Sequence, residues 1–175
     1  PENVIGAYDC STIYEVPLML HDQGFDASVV ERLGFDQGVE VEKPEISAWE
    51  EIVETLKHPS KTVKIGVVGK YVDLKESYKS LNEAIVHGGI ANKTRVELAW
   101  VDSETLTEAN VEKALKDVDA VLVPGGFGER GAEGKIVAIQ HARVNQIPFF
   151  GICFGMQLAA IEFARNVCGI SDATS

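Results

Sequence analysis

From residue 62 onward, the chain alternates four times between an apolar, β-branched run and a segment with helical periodicity. The predicted strands are 62–71, 95–102, 119–126 and 147–153, and the predicted helices are 77–92, 107–117, 131–146 and 155–169. Consecutive strand–helix units build an α/β fold, a mostly parallel sheet with helices on both faces. The carboxyl ends of parallel strands meet at one edge, where such proteins carry their chemistry.

The residues before this region show no repeating pattern. Residues 40–45 are charged, contain proline and are typical of a linker, whereas 47–58 are predicted as a helix with one apolar face. We therefore expect three parts: residues 1–38, a linker with a helix at 39–61, and an α/β domain at 62–175.

Local signals also predict where several helices begin and end. Ser47 and Thr107 are expected to be N-caps, because a hydroxyl can accept a bond from the first free amides of a helix. The helix at 77–92 is expected to end at the pair Gly88 and Gly89, and Cys168 is expected inside the last helix.

Composition excludes several classes of function. The 175 residues are 45% hydrophobic and carry a net charge of −11, which argues against bulk binding of nucleic acid. No apolar stretch reaches membrane-spanning length, and no signal peptide is recognisable. Three cysteines without close spacing argue against a disulfide framework or a metal site and favour a cytoplasmic location.

The sequence Gly-Ile-Cys-Phe-Gly at 151–155 lies where the last predicted strand turns into a helix. Gly-x-Cys-x-Gly in this position is the cysteine form of a nucleophile elbow, in which a tight turn presents the side chain at the start of the helix. The helix terminus favours the thiolate, and the amide of Phe154 would face the oxyanion. The alternative for Cys153 is a small buried core residue, which is what we expect of Cys10 and Cys168.

A second unusual strand end is the glycine-rich stretch at 124–131, Pro-Gly-Gly-Phe-Gly-Glu-Arg-Gly. Glycines allow positive φ and a close approach of the backbone to a ligand, so Gly125 and Gly126 could supply the second oxyanion donor. The alternative is an ordinary surface turn.

A nucleophilic cysteine needs a base and an orienting acid. The chain has four histidines, His21, His58, His87 and His141, and none lies at a predicted strand end or follows Cys153. The residues alone therefore predict an incomplete catalytic group.

Taken together, "VPGGFGERG" and "PFFGICFGMQLAAIEFARNVCG" resemble the glutaminase domain of class I glutamine amidotransferases. The stretches 8–26 and 65–89 are similar to the CTP synthase family, at the end of its synthetase domain and the start of its glutaminase domain. The resemblance implies a flavodoxin-like domain at 62–175, preceded at 1–38 by the tail of a P-loop-type synthetase domain.

The resemblance implies an enzyme of pyrimidine biosynthesis, a ligase that converts UTP to CTP. ATP, with magnesium, activates the pyrimidine, and ammonia from L-glutamine reaches it through an internal channel. GTP is the expected activator and a homotetramer the expected assembly of the intact enzyme. Neither a nucleic acid nor a membrane is an expected partner, and the segment alone is expected to hold no cofactor or metal.

The resemblance also assigns residues. Cys153 matches the nucleophile that forms a glutamyl thioester, and Gly126, beside Gly125, matches a glycine that contacts glutamine and the oxyanion. The stretch after the nucleophile matches the glutamine-binding segment: Phe154, Gly155, Met156 and Gln157. A third set falls where the family contacts the ATP adenine: Asp9, Cys10 and Ser11.

The family's base and acid belong to a His-Pro-Glu motif further downstream, and a Thr-Glu-Phe stretch supplies another glutamine ligand. The sequence ends at Ser175 before both. We therefore expect the isolated segment to be inactive or nearly so.

Three alternatives remain. One is another class I amidotransferase such as GMP synthase, against which the segment 8–20 argues. A second is a cysteine hydrolase with a similar strand–elbow–helix layout but without the glycine loop. The third is a non-catalytic binding or structural module in which Cys153 is inert.

Overall fold

The structure, a computed structural model, describes residues 4–38, 42, 44–70, 75–126 and 128–174, with the side chains of 75 and 76 excepted. The chain divides into two compact units. The first comprises residues 1–60 and 92–94, and the second comprises residues 61–91 and 95–175.

The first unit is helical. Its helices are α1 (Val16–Asp22), α2 (Phe25–Leu33) and α3 (Ser47–Lys57), and a short 3₁₀ turn, Ile13–Glu15, precedes α1. The rings of Tyr14 and Trp49 lie 6.5 Å apart, and Lys57 of α3 forms an ion pair with Glu15. Bonds from Lys57 and Ser11 hold the pKa of Glu15 at about 2.

Helix α3 confirms the helix predicted at 47–58, but Ser47 is not its N-cap. Ile46 occupies that position, and no side chain caps the helix. The amide of Ser47 instead donates to the carboxylate of Glu45 at 2.8 Å, so an acidic side chain satisfies this early amide from outside the helix.

The second unit is built on a four-stranded sheet. Its strands are β1 (Lys61–Gly69), β2 (Thr94–Asp102), β3 (Ala120–Val123) and β4 (Phe149–Gly151), in the order β2-β1-β3-β4. β3 pairs in parallel with β1 through Val121 and Gly66, and with β4 through Leu122 and Phe150. The order is that of a doubly wound, flavodoxin-like sheet, which confirms the predicted fold class.

Each strand is followed by a helix. These helices are α4 (Lys79–Ala91), α5 (Val111–Ala114), α6 (Ala132–Val144) and α7 (Phe154–Asn166). Helix α4 does not end at the glycine pair, as predicted, but continues through it to Ala91. The left-handed residue beyond this helix is Lys93, at φ 50°, so the glycines are not needed to terminate it.

The helix predicted at 107–117 is much shorter in the structure. Only Val111–Ala114 is helical, and its N-cap is Asn110 rather than Thr107. The side chain of Asn110 accepts from the amide of Thr107 at 2.8 Å and donates to the carbonyl of Thr105 at 2.9 Å. These bonds hold the preceding residues in turns and delay the start of the helix.

The core of the second unit lies between the sheet and its helices. Val68 of β1, Val121 and Val123 of β3, and Ile139 and Leu158 of α6 and α7 belong to one buried cluster. Packing of α7 against α6 and β4 fixes the position of its first residues relative to the strand ends.

Within the described residues, no helix is both long and apolar enough to cross a membrane.

Candidate active site

Cys153 occupies a strained turn between β4 and α7. It is the N-cap of α7, its backbone lies at φ 54° and ψ −112°, and it is exposed. A positive φ is uncommon for a residue with a Cβ and persists only where neighbouring structure enforces it. The strand–turn–helix context that a nucleophile elbow requires is therefore present.

The two flanking glycines are required by close backbone contacts. A Cβ placed on Gly151 would lie 2.7 Å from the carbonyl carbon and oxygen of Gly155. A Cβ on Gly155 would collide with the carbonyl oxygen of Val123. Because these backbone atoms cannot move without a large cost in free energy, only glycine fits at either position, as the sequence predicts.

The glycine-rich stretch after β3 lies directly against the cysteine. A Cβ on Gly125 would approach the Cβ of Cys153 to 3.3 Å and its Sγ to 3.8 Å. Gly126 has a φ of 121° and open space where a side chain would project. The two strand ends singled out in the sequence are thus brought together, and a small ligand at Cys153 would face both.

The four residues after Cys153 differ in exposure. Met156 is exposed and Gln157 partly exposed, whereas the side chain of Phe154 and the whole of Gly155 are buried. The amide of Gly155 donates to the carbonyl of Ile152, and the amides of Met156 and Gln157 donate to that of Cys153. Direct contact of these residues with glutamine stays a prediction.

A cavity of about 650 Å³ opens between the N-terminal part of α6 and the face of α7 that runs from Phe154 to Arg165. Its apolar lining includes Ile136, Phe154 and Leu158, and charged groups at its rim include Glu133 and Arg165. This mixture of apolar surface and a few charged groups is typical of small-molecule sites. Two predicted glutamine-binding residues, Phe154 and Gln157, line it.

One residue near this site was not predicted from the sequence. Lys135, in the first turn of α6, is fully buried, and its Nζ has no hydrogen-bond partner among the described residues. The Nζ lies 5.7 Å from the ring centroid of Phe154. Burial, and secondarily the charge of Lys70, lowers the pKa of Lys135 from 10.5 to about 8.

No sequence signal distinguishes Lys135 from an ordinary helix lysine, because a surface lysine at the same spacing gives the same pattern. The reason for its burial is structural and involves the preceding residue, Gly134. A Cβ on Gly134 would collide with the carbonyl of Ser103, so this turn of α6 is pressed against the chain that follows β2. A side chain projecting there has little access to water.

No histidine completes the catalytic group in the part of the chain that the structure describes. His21 is paired with Asp26 at 2.6 Å in the first unit, and His141 contacts Asn145. Over the same described ranges, no hydrogen bond joins a histidine to Cys153. The structure likewise brings together no group of three metal-ligating side chains within those ranges.

The predicted adenine-contacting residues lie in the first unit, ahead of the 3₁₀ turn. Asp9 and Ser11 are exposed. Both the amide and the hydroxyl of Ser11 donate to Glu15, at 2.8 and 3.0 Å. Cys10 is partly exposed and donates weakly to the carbonyl of Tyr8. Contact with ATP at these residues stays a prediction.

The expectation that Cys10 and Cys168 are buried core residues is wrong. Cys10 is only partly covered, and Cys168 is exposed. Cys168 also lies outside the last helix, because α7 ends at Asn166 with Val167 as its C-cap. The amide of Cys168 donates to the carbonyl of Phe163, which closes the helix one residue before Gly169 turns the chain.

The family model for class I glutamine amidotransferases matches residues 73–174, a span that includes the glycine loop, the elbow and the cavity. The chain belongs to the class I glutamine amidotransferase family.

Its curated relatives are CTP synthases. The CTP synthase of Bdellovibrio bacteriovorus is 63% identical over 175 residues, which is 100% of this chain and 32% of that protein. The CTP synthase of Nitratidesulfovibrio vulgaris strain DP4 is 56% identical over 172 residues, 98% of this chain and 31% of that protein. The chain thus spans about 32% of the length of the first of these relatives.

A solved structure, the glutaminase domain of Trypanosoma brucei CTPS with bound acivicin, is 46% identical. It matches with a TM-score of 0.61 over 65% of this chain and 44% of that one. These relatives confirm the resemblance to CTP synthases and favour it over another amidotransferase such as GMP synthase.

Proposed function

We propose that Cys153 is the nucleophile of a glutaminase site that releases ammonia from L-glutamine. The observation that carries this proposal is the left-handed cysteine between β4 and α7, pressed against Gly125. A turn of this kind serves to present a nucleophile at a helix terminus. The family match over residues 73–174 supports glutamine as the substrate.

In the proposed reaction, the Cys153 thiolate attacks the side-chain carboxamide carbon of glutamine and forms a tetrahedral oxyanion. Collapse breaks the carbon–nitrogen bond, the nitrogen takes up the proton that the Cys153 thiol released on forming the thiolate and leaves as ammonia, and a γ-glutamyl thioester remains. Water then hydrolyses the thioester to glutamate and restores the thiol. The contact of Gly125 with Cys153, and the open space at the next residue, Gly126, support a role of this loop in receiving the oxyanion.

Substrate orientation is assigned to the residues around the cavity. Glutamine carries an ammonium and a carboxylate at one end, and the cavity lining offers Glu133 and Arg165, which are paired with each other at 3.1 Å and would exchange partners on binding. Phe154, the residue directly after Cys153, and Gln157 line this cavity. We assign Phe154, Gly155, Met156 and Gln157 to glutamine binding, with Gly155 acting through the backbone packing that fixes the turn.

We further propose that the chain performs this reaction as part of a CTP synthase, a cytoplasmic ligase of pyrimidine biosynthesis. In such an enzyme the ammonia would aminate UTP, with ATP as the activating substrate, GTP as the activator and a homotetramer as the assembly. Support comes from relatives named CTP synthase that match 98% to 100% of this chain. A histidine and a glutamate of the family's motif would act as base and acid.

ATP and magnesium would be bound mainly by parts of such an enzyme outside this sequence. No cluster of metal-ligating side chains is present in the described ranges, so these residues do not fit a magnesium site. At the adenine, Asp9, Cys10 and Ser11 remain the candidates, and Ser11 would act as an acceptor because its amide and hydroxyl already donate to Glu15.

Acivicin, a glutamine analogue bound in the similar Trypanosoma brucei structure, tests the glutaminase proposal. We expect intact-mass spectrometry of the incubated 175-residue chain to show one adduct, and peptide mapping to place it on Cys153. L-glutamine should protect against labelling, since both compounds would occupy one site.

Two matched variants serve as controls. Cys153→Ala should abolish the adduct, whereas Cys168→Ala removes the other fully exposed thiol of the described residues and should leave it intact. Labelling of Cys168 and Cys153 at equal rates, without protection by glutamine, would contradict the proposal. That result would favour the non-catalytic alternative.

A further inference from the structure

Lys135 is the one buried cation near the elbow among the described residues, and its setting is unfavourable for a charge. Its side chain is fully covered, and its Nζ has no hydrogen-bond partner among these residues. Burying an ammonium without a carboxylate or hydrogen bonds destabilises a fold. Such a group persists in natural proteins chiefly where it contributes to a function.

The charges around Lys135 do not compensate it. Lys70, which follows β1, is the charged group that acts on it among the described residues, and Lys70 is also positive. Lys70 donates to the carbonyl of Gly128 at 3.2 Å, so this second cation is held at the glycine-rich stretch. On the side of α7, the group that faces Lys135 is the ring of Phe154.

We propose that Lys135 is a positioning residue for the nucleophile elbow, which it holds through a cation–π contact with Phe154. This role rests on the proposed glutaminase function. The contact distance of 5.7 Å is within the range in which an ammonium is attracted to an aromatic face. Phe154 is the residue directly after Cys153 and the first residue of α7, so restraining its ring restrains the turn.

The contact between Lys135 and Phe154 would affect the reaction by holding the Cys153 sulfur in its reactive position. A turn that must hold Cys153 at φ 54° tends to relax unless its neighbours oppose relaxation. Lys135 in α6 ties the first residue of α7 to a second helix. Loss of this restraint would let the elbow sample less strained conformations and would slow covalent bond formation more than ligand binding.

The test compares acivicin labelling of the wild-type chain with that of Lys135→Met and Lys116→Met. Lys116 is an exposed lysine outside the site and serves as the matched control. For Lys135→Met we expect the maximal labelling rate to fall about tenfold, the equivalent of a partly buried cation–π contact. The half-saturating acivicin concentration and the rate of iodoacetamide alkylation, which needs no glutamine pocket, should change less than about twofold.

Labelling rates measured over a range of pH distinguish an effect of the Lys135 charge from a general effect of the substitution on the fold. Lys135 loses its proton near pH 8, so the ratio of wild-type to Lys135→Met labelling rates should approach one above that pH. Taking the ratio removes any pH dependence that the two proteins have in common. In ¹⁵N spectra, the Phe154 amide of wild type should shift with a midpoint near pH 8, and this titration should vanish in Lys135→Met.

The outcomes are distinguishable. If acivicin labels wild type and Lys135→Met at equal rates, or the Phe154 amide does not titrate, the role of Lys135 is overturned while the glutaminase proposal stands. If acivicin does not label wild type, the glutaminase proposal is overturned, and this role with it. In a Phe154→Leu background, Lys135→Met should have no further effect on the labelling rate, because the aromatic ring through which Lys135 acts on the elbow is absent.

Discussion

Cys153 is held in its conformation by neighbours that have no side chains. Gly151 and Gly155 let the turn close on itself, and Gly155 also lets α7 start against the carbonyl of Val123. Gly125 brings the neighbouring strand end within contact of the thiol. The position of the nucleophile is therefore set by backbone packing, which tolerates very little change.

Gly155→Ala is expected to destabilise the chain by about 2–3 kcal/mol and to abolish acivicin labelling, because the new methyl group would overlap backbone. Urea unfolding and the labelling assay measure the two effects. Gly88→Ala is the matched control: Gly88 lies in α4 with open space around its Cα, and alanine there should stabilise by about 0.5–1 kcal/mol. Equal stability of the two variants would contradict the packing argument.

Lys135→Met is expected to stabilise the chain below pH 8. The pKa of Lys135 is about 8 in the folded state and near 10.5 when unfolded, so the unfolded chain binds more protons between these values and wild-type stability rises with pH there. Below pH 8 the full penalty of the charge applies, on the order of 3 kcal/mol.

Unfolding curves at several pH values between 7 and 10 check this expectation. The advantage of Lys135→Met over wild type should be greatest at pH 7 and should shrink as the pH rises above 8. An advantage that does not change with pH would mean that packing, not charge, distinguishes the two side chains. Lys116→Met should show neither effect.

At the scale of single residues, the sequence predicts a role where only one residue type can occupy a position for a clear physical reason. Cysteine between two glycines at a strand end indicates a turn that only glycine can flank, and the structure confirms that packing. Lys135 could not be predicted, because its burial depends on how closely α6 approaches the chain after β2. The exposure of Cys168 depends on where α7 ends, which the helical periodicity does not fix.

At the level of elements, α6 and α7 are joined by an ion pair whose carboxylate is buried and whose arginine side chain is 35% exposed. Glu162 is 1% exposed and accepts three bonds from Nε and Nη2 of Arg143, and Asn166 adds a fourth at 3.1 Å. Burial alone would raise the pKa of Glu162, but the bonds from Arg143 and Asn166 outweigh it and lower the pKa below its ordinary value of 4.5. The pair fixes the helix that carries the elbow.

Glu162→Gln is expected to destabilise the chain by about 1.5–3 kcal/mol at pH 7, since a neutral amide replaces the buried carboxylate in its hydrogen bonds with Arg143. The stability that Glu162 contributes is present above pH 4.5 and is lost as the pH falls through its lower folded-state pKa, so the variant should lose this part of the acid sensitivity. Thermal unfolding between pH 3 and 7 measures both.

Glu133→Gln provides the control for that variant. Arg165 and Glu133 also join α7 to α6, at 3.1 Å, but Glu133 is 76% exposed. Its loss should change stability by less than about 1 kcal/mol, because water and salt screen an exposed pair. A larger effect for Glu133→Gln than for Glu162→Gln would contradict the importance assigned to burial.

The types of the elements follow from the sequence more reliably than their lengths. All four strands and four helices of the second unit lie where alternation of pattern predicts them. Helix α5 is shorter than predicted because the Asn110 side chain satisfies backbone groups that a longer helix would use. Helix α4 is not stopped by its glycines because helical φ values are open to glycine as well.

For the whole molecule, the parallel sheet could be predicted because strand–helix alternation permits few other arrangements. The contact between Gly125 and Cys153 follows from this, since β3 and β4 are neighbours in the sheet. The function of the first unit could not be derived in this way. Its assignment to a synthetase domain stays a prediction from resemblance, and the boundaries at residues 38 and 61 stay predictions from the sequence pattern.

The isolated 175-residue chain is expected to react with acivicin but to hydrolyse glutamine slowly. Covalent bond formation needs the elbow, whereas repeated turnover also needs a base and an acid, and no histidine is bonded to Cys153 in the described ranges. Loss of a triad member typically costs about 10⁴-fold or more in turnover. Ammonia release measured by a coupled assay should be lower than that of an intact class I amidotransferase by a factor of that order; rates within about tenfold would contradict it.

The left-handed backbone at Cys153 has a consequence for protein engineering. A residue with a Cβ at φ 54° carries strain, which glycine would relieve. Directed evolution or consensus design aimed only at thermal robustness would therefore tend to replace the one side chain on which the proposed chemistry depends. A stabilisation campaign on this chain should hold position 153 and its flanking glycines fixed and seek its gains elsewhere.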